Sequence, residues 1–134
     1  MPDYVVKRID EMESSFLGTY KRARAELGVT SFGMQVIDLP PNLTEGYPEH
    51  DHVHDGQEEV FITMRGRGEI FIDGEREELT PDVMVRIAPE ARRRVVTGDE
   101  PIRLLIVSGV PGGVYEPAPN SILGTPDPLA QGQT

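Results

Sequence analysis

The sequence predicts an all-β sandwich or barrel with a short N-terminal helix, on three observations. From residue 29 onward the chain breaks into short β-rich runs, each bounded by Pro, Gly or Asp, which is the texture of sandwiches and barrels. Asp73-Gly74 stands between two such runs and is a strong hairpin signal. Helical periodicity is confined to the first 28 residues.

In chain order, Tyr4-Val5-Val6 is expected to form a short strand. From about Ser14 the apolar residues Phe16, Tyr20, Ala23 and Leu27 recur at spacings of three and four, the pattern of a helix. Ser14 or Ser15 can cap its start, and Gly28 stands where a C′ glycine ends it. Strands are predicted at 29–39, stopped by Pro40-Pro41, and at 58–65, 68–73, 75–79, 82–87, 94–97 and 102–107. On the second of these, Glu59, Phe61 and Thr63 share one face, and Val60, Ile62 and Met64 take the other. Beyond Val110 the chain is rich in Pro and Gly and is expected to run as an extended arm with a mobile end. The organisation predicted is an arm of strand and helix at 1–29, a barrel at 30–110 and a second arm at 111–134.

A chain of 134 residues is one ordinary domain with a single hydrophobic core. The formal net charge of -10 disfavours nucleic-acid binding. No apolar run is long enough to cross a bilayer, and the first residues lack the pattern of a signal peptide. A cytoplasmic location is therefore expected. With no cysteine there is neither a disulfide framework nor thiolate chemistry.

All three histidines fall within five residues, as His50, His52 and His54, and Glu58 and Glu59 follow. On a strand these three side chains would share a face. Imidazoles on one face beside a carboxylate form the start of a first-row transition-metal site. Glu58 and Glu59, as neighbours on a strand, face opposite sides of it. A second unusual feature is Arg92-Arg93-Arg94. If Val95 faces inward so does Arg93, and an inward guanidinium needs an anionic partner.

Gly46, His52, His54, Glu59 and Gly66 stand at the spacing Gly-x5-His-x-His-x4-Glu-x6-Gly. This resembles the first conserved motif of the cupin superfamily. Gly74, Pro81-Asp82 and Ile87-Ala88-Pro89 resemble the second. The resemblance covers roughly residues 30 to 108 and implies a double-stranded β-helix, a small jelly-roll barrel of the single-domain, conserved-barrel kind. It implies a divalent transition metal, Fe, Mn, Ni or Zn, held by His52, His54 and Glu59. Pairing of two chains as a homodimer is also implied.

The second motif departs from the family pattern. Arg93 stands where a histidine usually supplies the fourth ligand, and arginine offers no lone pair. Several readings stay open. His52, His54 and Glu59 can form a two-histidine, one-carboxylate site with open positions. His50 can replace the missing ligand. Arg93, with His50 beside it, can hold a substrate carboxylate or phosphate. Alternatively Arg93 pairs Glu59 and its charge takes the place of the metal. The functional expectation is a metal-binding cupin acting on or holding a small anion, with dioxygenase or isomerase chemistry among its options. The alternative is a metal-free anion-binding or regulatory protein.

Overall fold

The computed structural model describes residues 3–45 and 48–129. After a 3-10 turn at Ile9–Glu11 come β1 (Ser14–Ser15), β2 (Tyr20–Lys21), α1 (Ala23–Leu27), β3 (Gly33–Leu39), β4 (Glu58–Gly66), β5 (Gly68–Ile72), β6 (Glu75–Leu79), β7 (Met84–Ile87), β8 (Arg93–Val96) and β9 (Ile102–Gly109). Six strands form one antiparallel sheet in the order β1-β2-β3-β9-β4-β7, and three form the other in the order β6-β5-β8. The two sheets enclose one core, in which Phe61, Ile70, Leu79 and Leu104 are fully buried. The all-β jelly-roll expectation holds, and β3 through β9 match the strands read from sequence.

Local chemistry explains the best-defined elements. The β5–β6 hairpin turns on Asp73 and Gly74 at φ 50 and 84, the pair of positive angles that a type I′ turn requires. Along β4 burial alternates, with Glu59, Phe61 and Thr63 inside and Met64 exposed, because successive side chains of a strand point to opposite faces. The outer face of β3 and β9 is covered by the N-terminal segment, where Met12 and Ala23 pack on Val36 and Leu105.

That N-terminal segment differs from its sequence reading. Tyr4-Val5-Val6 is not a strand, and Tyr4 and Val6 are exposed. The expected helix is reduced to the five residues of α1, still ended by Gly28 in the left-handed conformation at φ 79. Residues 14–21 are instead a small hairpin, β1 with β2. Phe16, Leu17 and Gly18 all have positive φ, which a right-handed helix cannot contain. Part of the cause lies far away in sequence. The Asp127 carboxylate accepts the backbone N–H groups of Phe16 and Leu17 at 2.9 and 2.8 Å.

Residues 110–129 return along this segment. The buried Arg22 donates to Glu13 at 2.6 Å and to the Thr125 carbonyl at 2.7 Å. Glu13 also accepts the Gly124 N–H at 2.8 Å. The mobile end expected beyond this clasp falls on residues 130–134, outside the described residues, as does the motif glycine Gly46.

The clasp predicts acid sensitivity. The Gly124 N–H, and then the Arg22 guanidinium, hold the Glu13 carboxyl below its ordinary value of 4.5. A depressed folded-state value contributes stability that is complete above the unfolded value and is lost as pH falls through the folded one. Thermal melts should therefore show Tm falling from about pH 4.5 downward, and Glu13→Gln should flatten that part of the profile. An unchanged acid limb in Glu13→Gln would show that the clasp adds nothing to stability.

Candidate metal centre

The site is built by two loops and one strand. The segment carrying the histidines is tied to the far sheet through its backbone. His50 and Arg93 exchange N–H to carbonyl bonds in both directions, at 2.8 and 3.1 Å, and the His52 N–H donates to the Pro89 carbonyl at 2.8 Å. The segment then bends rather than running on as a strand. Asp51 accepts the Val53 N–H at 3.1 Å, Asp55 accepts the Gln57 N–H at 3.2 Å, and the Gly56 N–H reaches back to the His52 carbonyl at 2.8 Å. Gly56 supplies φ 69 for this turn.

The turn separates the histidines. His50, His52 and Glu59 each offer a ligand atom, all within 4.8 Å of one another. His54 lies outside this group, on the turn, with its side chain 77% exposed and its Nε2 3.5 Å from Asp55. This departs from the ligand set His52, His54 and Glu59. Placing the histidines on one face required an extended chain through residue 54, and the Asp51 and Asp55 turns remove it. His50 is the third member of the group that could hold a metal ion.

The tautomers of both grouped histidines follow from their partners. His52 Nδ1 faces both oxygens of Asp55, at 3.1 and 3.2 Å, and His50 Nδ1 faces the Pro48 carbonyl at 3.0 Å. A carboxylate or a carbonyl only accepts, so each Nδ1 donates, and in the neutral ring the lone pair is on Nε2. A carboxylate or carbonyl behind each imidazole is the arrangement that orients metal-bound histidines. His52 Nε2 lies 3.4 Å from Glu59 Oε2. A basic nitrogen lone pair and a carboxylate oxygen repel unless a cation or a proton lies between them.

Arg93 opens β8 and is fully buried. Its Nη2 donates to the Ala88 carbonyl at 3.0 Å. Its Nη1 is 3.7 Å from Glu59 Oε1, longer than a hydrogen bond, and Nη1, Nε and Glu59 Oε1 are buried without hydrogen-bond partners among the described residues. Arg93 thus stands behind Glu59 as a fixed cation. Its neighbours point outward: Arg92 pairs with Glu49 at 2.8 Å, and Arg94 lies over the Phe71 ring at 5.0 Å. Glu58 is on the outer side with Arg86 at 3.4 Å.

Asp55 is the functional residue that sequence reading passed over. Its signal is Asp55-Gly56, a turn dipeptide three residues after His52. Asp55→Asn should lower metal affinity about 10- to 100-fold, as loss of such a supporting carboxylate does, measured by competition with a chromogenic chelator. Unchanged affinity would mean that Asp55 does not orient His52 when an ion is bound.

Residues 36–108 match the Cupin domain family, more than half of the chain. The chain belongs to the cupin family. Among solved structures, a cupin protein from Bacteroides fragilis is 24% identical, covers 88% of this chain and 93% of its own, and has a TM-score of 0.68. A DMSP lyase, DddQ, from Ruegeria pomeroyi is 26% identical over 66% of this chain at a TM-score of 0.55, and this cupin spans 42% of that enzyme. A Cupin 2 conserved barrel domain protein from Salinispora arenicola is 29% identical over 59% of this chain and 63% of its own, with a TM-score of 0.51. No curated protein matches this cupin in sequence. Among the described residues no helix is long and apolar enough to cross a membrane.

Proposed function

We propose that this cupin holds one divalent transition-metal ion through His50, His52 and Glu59, and uses the site to bind and act on a small anionic molecule. The observation that carries this reading is the 3.4 Å approach of His52 Nε2 to Glu59 Oε2, with the imidazole proton already committed to Asp55 on the other side of the ring. Two imidazoles and one carboxylate suit Fe, Mn, Ni or Zn and leave coordination positions for a ligand. When bound, the ion would supply Lewis acidity toward a ligand oxygen. Arg93, in the place of a fourth ligand, keeps a positive charge against Glu59 and favours negative charge nearby. That one structural relative is a lyase supports a catalytic use of the site.

A second reading is favoured by the same Arg93. A proton between His52 and Glu59, with Arg93 on the other carboxylate oxygen, would close a charge cluster with no ion, leaving a metal-free binding protein. Elemental mass spectrometry of untagged protein separates the two. About one transition-metal ion per chain, retained through dialysis, supports the first. No ion after reconstitution with iron, manganese, nickel and zinc rejects it.

A further inference from the structure

The C-terminal segment brings an aromatic residue to the same end of the barrel. β9 lies between β3 and β4, and its Ser108 is paired with Gly33 on one side and Glu59 on the other. Residues directly opposed on neighbouring strands show their side chains on one face. Along β9 the alternate residues Ile102, Leu104 and Ile106 are in the core, so Ser108 is the next inward position, beside Glu59. After Gly109, which is paired with Glu58, the chain reverses at 110–113 and passes the histidine turn. Val110 would lie 3.8 Å from a side chain at Gly56.

Two residues later Tyr115 is buried, at 9% exposure. A methyl group added at Gly33 would collide with Ser108 Oγ and come within 2.8 Å of Tyr115 Cε1. Gly33 does not have a positive φ, so its glycine serves space rather than backbone conformation. It admits the Tyr115 ring and the Ser108 hydroxyl together. Burial raises the Tyr115 phenol above its ordinary value; Arg24 opposes that rise and the charge of Asp55, the carboxylate holding His52, adds to it. Gly33 is joined through Ser108 to Glu59 by strand pairing, so the ring that fills the space at Gly33 stands in the same cross-strand row as Glu59. The segment that carries it is fixed farther on by Arg22 and by the Asp127 contacts.

We propose that Tyr115 and Ser108 form the recognition wall of the His50–His52–Glu59 site, and that the ligand they select is a small carboxylate with a short apolar body. The ring and the neighbouring apolar interior take the body. The two hydroxyls donate to the ligand's oxygens, and the ion takes the carboxylate. This rests on the metal-site reading above. Ser108 and Tyr115 are specificity residues here and bind no metal.

The test uses the full chain loaded with Co(II), whose visible spectrum reports the metal, titrated with acetate, butyrate and 2-hydroxybutyrate. The expected result is that butyrate and 2-hydroxybutyrate perturb the spectrum at lower concentration than acetate. Tyr115→Phe and Ser108→Ala should each weaken 2-hydroxybutyrate about tenfold, the loss of one hydrogen bond to a charged group, with an unchanged Co(II) spectrum before titration. Tyr115→Phe keeps the ring and so the packing on Gly33. Tyr115→Ala should also remove the preference for butyrate over acetate. Normal Co(II) uptake with wild-type carboxylate affinities in all three variants would overturn the wall and leave the metal site standing. Uptake with no carboxylate response would overturn the ligand class. No Co(II) uptake by the wild-type chain would overturn the metal site and this inference with it.

Discussion

Replacing His52 with alanine should abolish tight metal binding, while replacing His54 should leave it intact. Loss of a ligand exceeds the loss of a supporting residue, so His52→Ala and His50→Ala should each lower affinity by about 100-fold or more. His54 is exposed on the turn and outside the grouped ligand atoms. Its removal should cost no more than an ordinary surface change, about 0.5 kcal/mol or less. Chelator competition on the three variants reads the difference directly. The comparison is sharp because the motif spacing and the folded chain choose different partners for His52. A loss on His54→Ala, with His50→Ala neutral, would restore the spacing-based ligand set and show that the 51–57 turn opens when an ion binds.

The second large effect concerns Arg93. In metal-free protein, Arg93→Met removes the buried cation behind Glu59 and leaves the carboxylate inside without its partner. Breaking a buried pair in this way costs about 3–5 kcal/mol. Metal should recover part of that loss, because the ion replaces the missing cation beside Glu59 and, with the like charge of Arg93 gone, binds the variant more tightly than wild type and stabilises it more. Urea melts with chelator and with added Zn(II) would show a wide gap for Arg93→Met and a narrower one for wild type. Equal losses in both conditions would mean that Glu59 does not reach the ion. Arg93→His adds a ligating group to the same removal of charge. It removes a like charge from beside the metal and offers a lone pair, so metal should bind more tightly than in wild type.

Much of the barrel was legible because its signals are local. Asp73-Gly74 can be read as a type I′ turn from two residues, and the alternation along 58–64 follows from the two-residue period of a strand. Arg93 could be turned inward on the same ground, from Val95 two positions on. A local turn, with Gly18 at positive φ and Thr19 bonded to the Phe16 carbonyl, and a distant carboxylate together displace the helix expected from residue 14. The apolar spacing suits a helix, but Asp127, 110 and 111 residues away, binds two N–H groups in a left-handed turn there.

The sequence by itself determined that this chain is a cupin and that a histidine cluster and an inward carboxylate lie at one end of the barrel. Those outcomes depend on residue spacing along one strand or one turn, which is short-range geometry. Tertiary structure alone decided which histidines share the site with Glu59. His50 was fixed there by backbone bonds to Arg93 from another strand, and His54 was excluded by a turn whose carboxylates also hold His52. It also set Tyr115, 56 residues beyond Glu59, against Gly33, in the row where strand pairing places Ser108 between Gly33 and Glu59. A contact between segments that distant is fixed by how strands pair across the sheet, and no spacing along the chain encodes it.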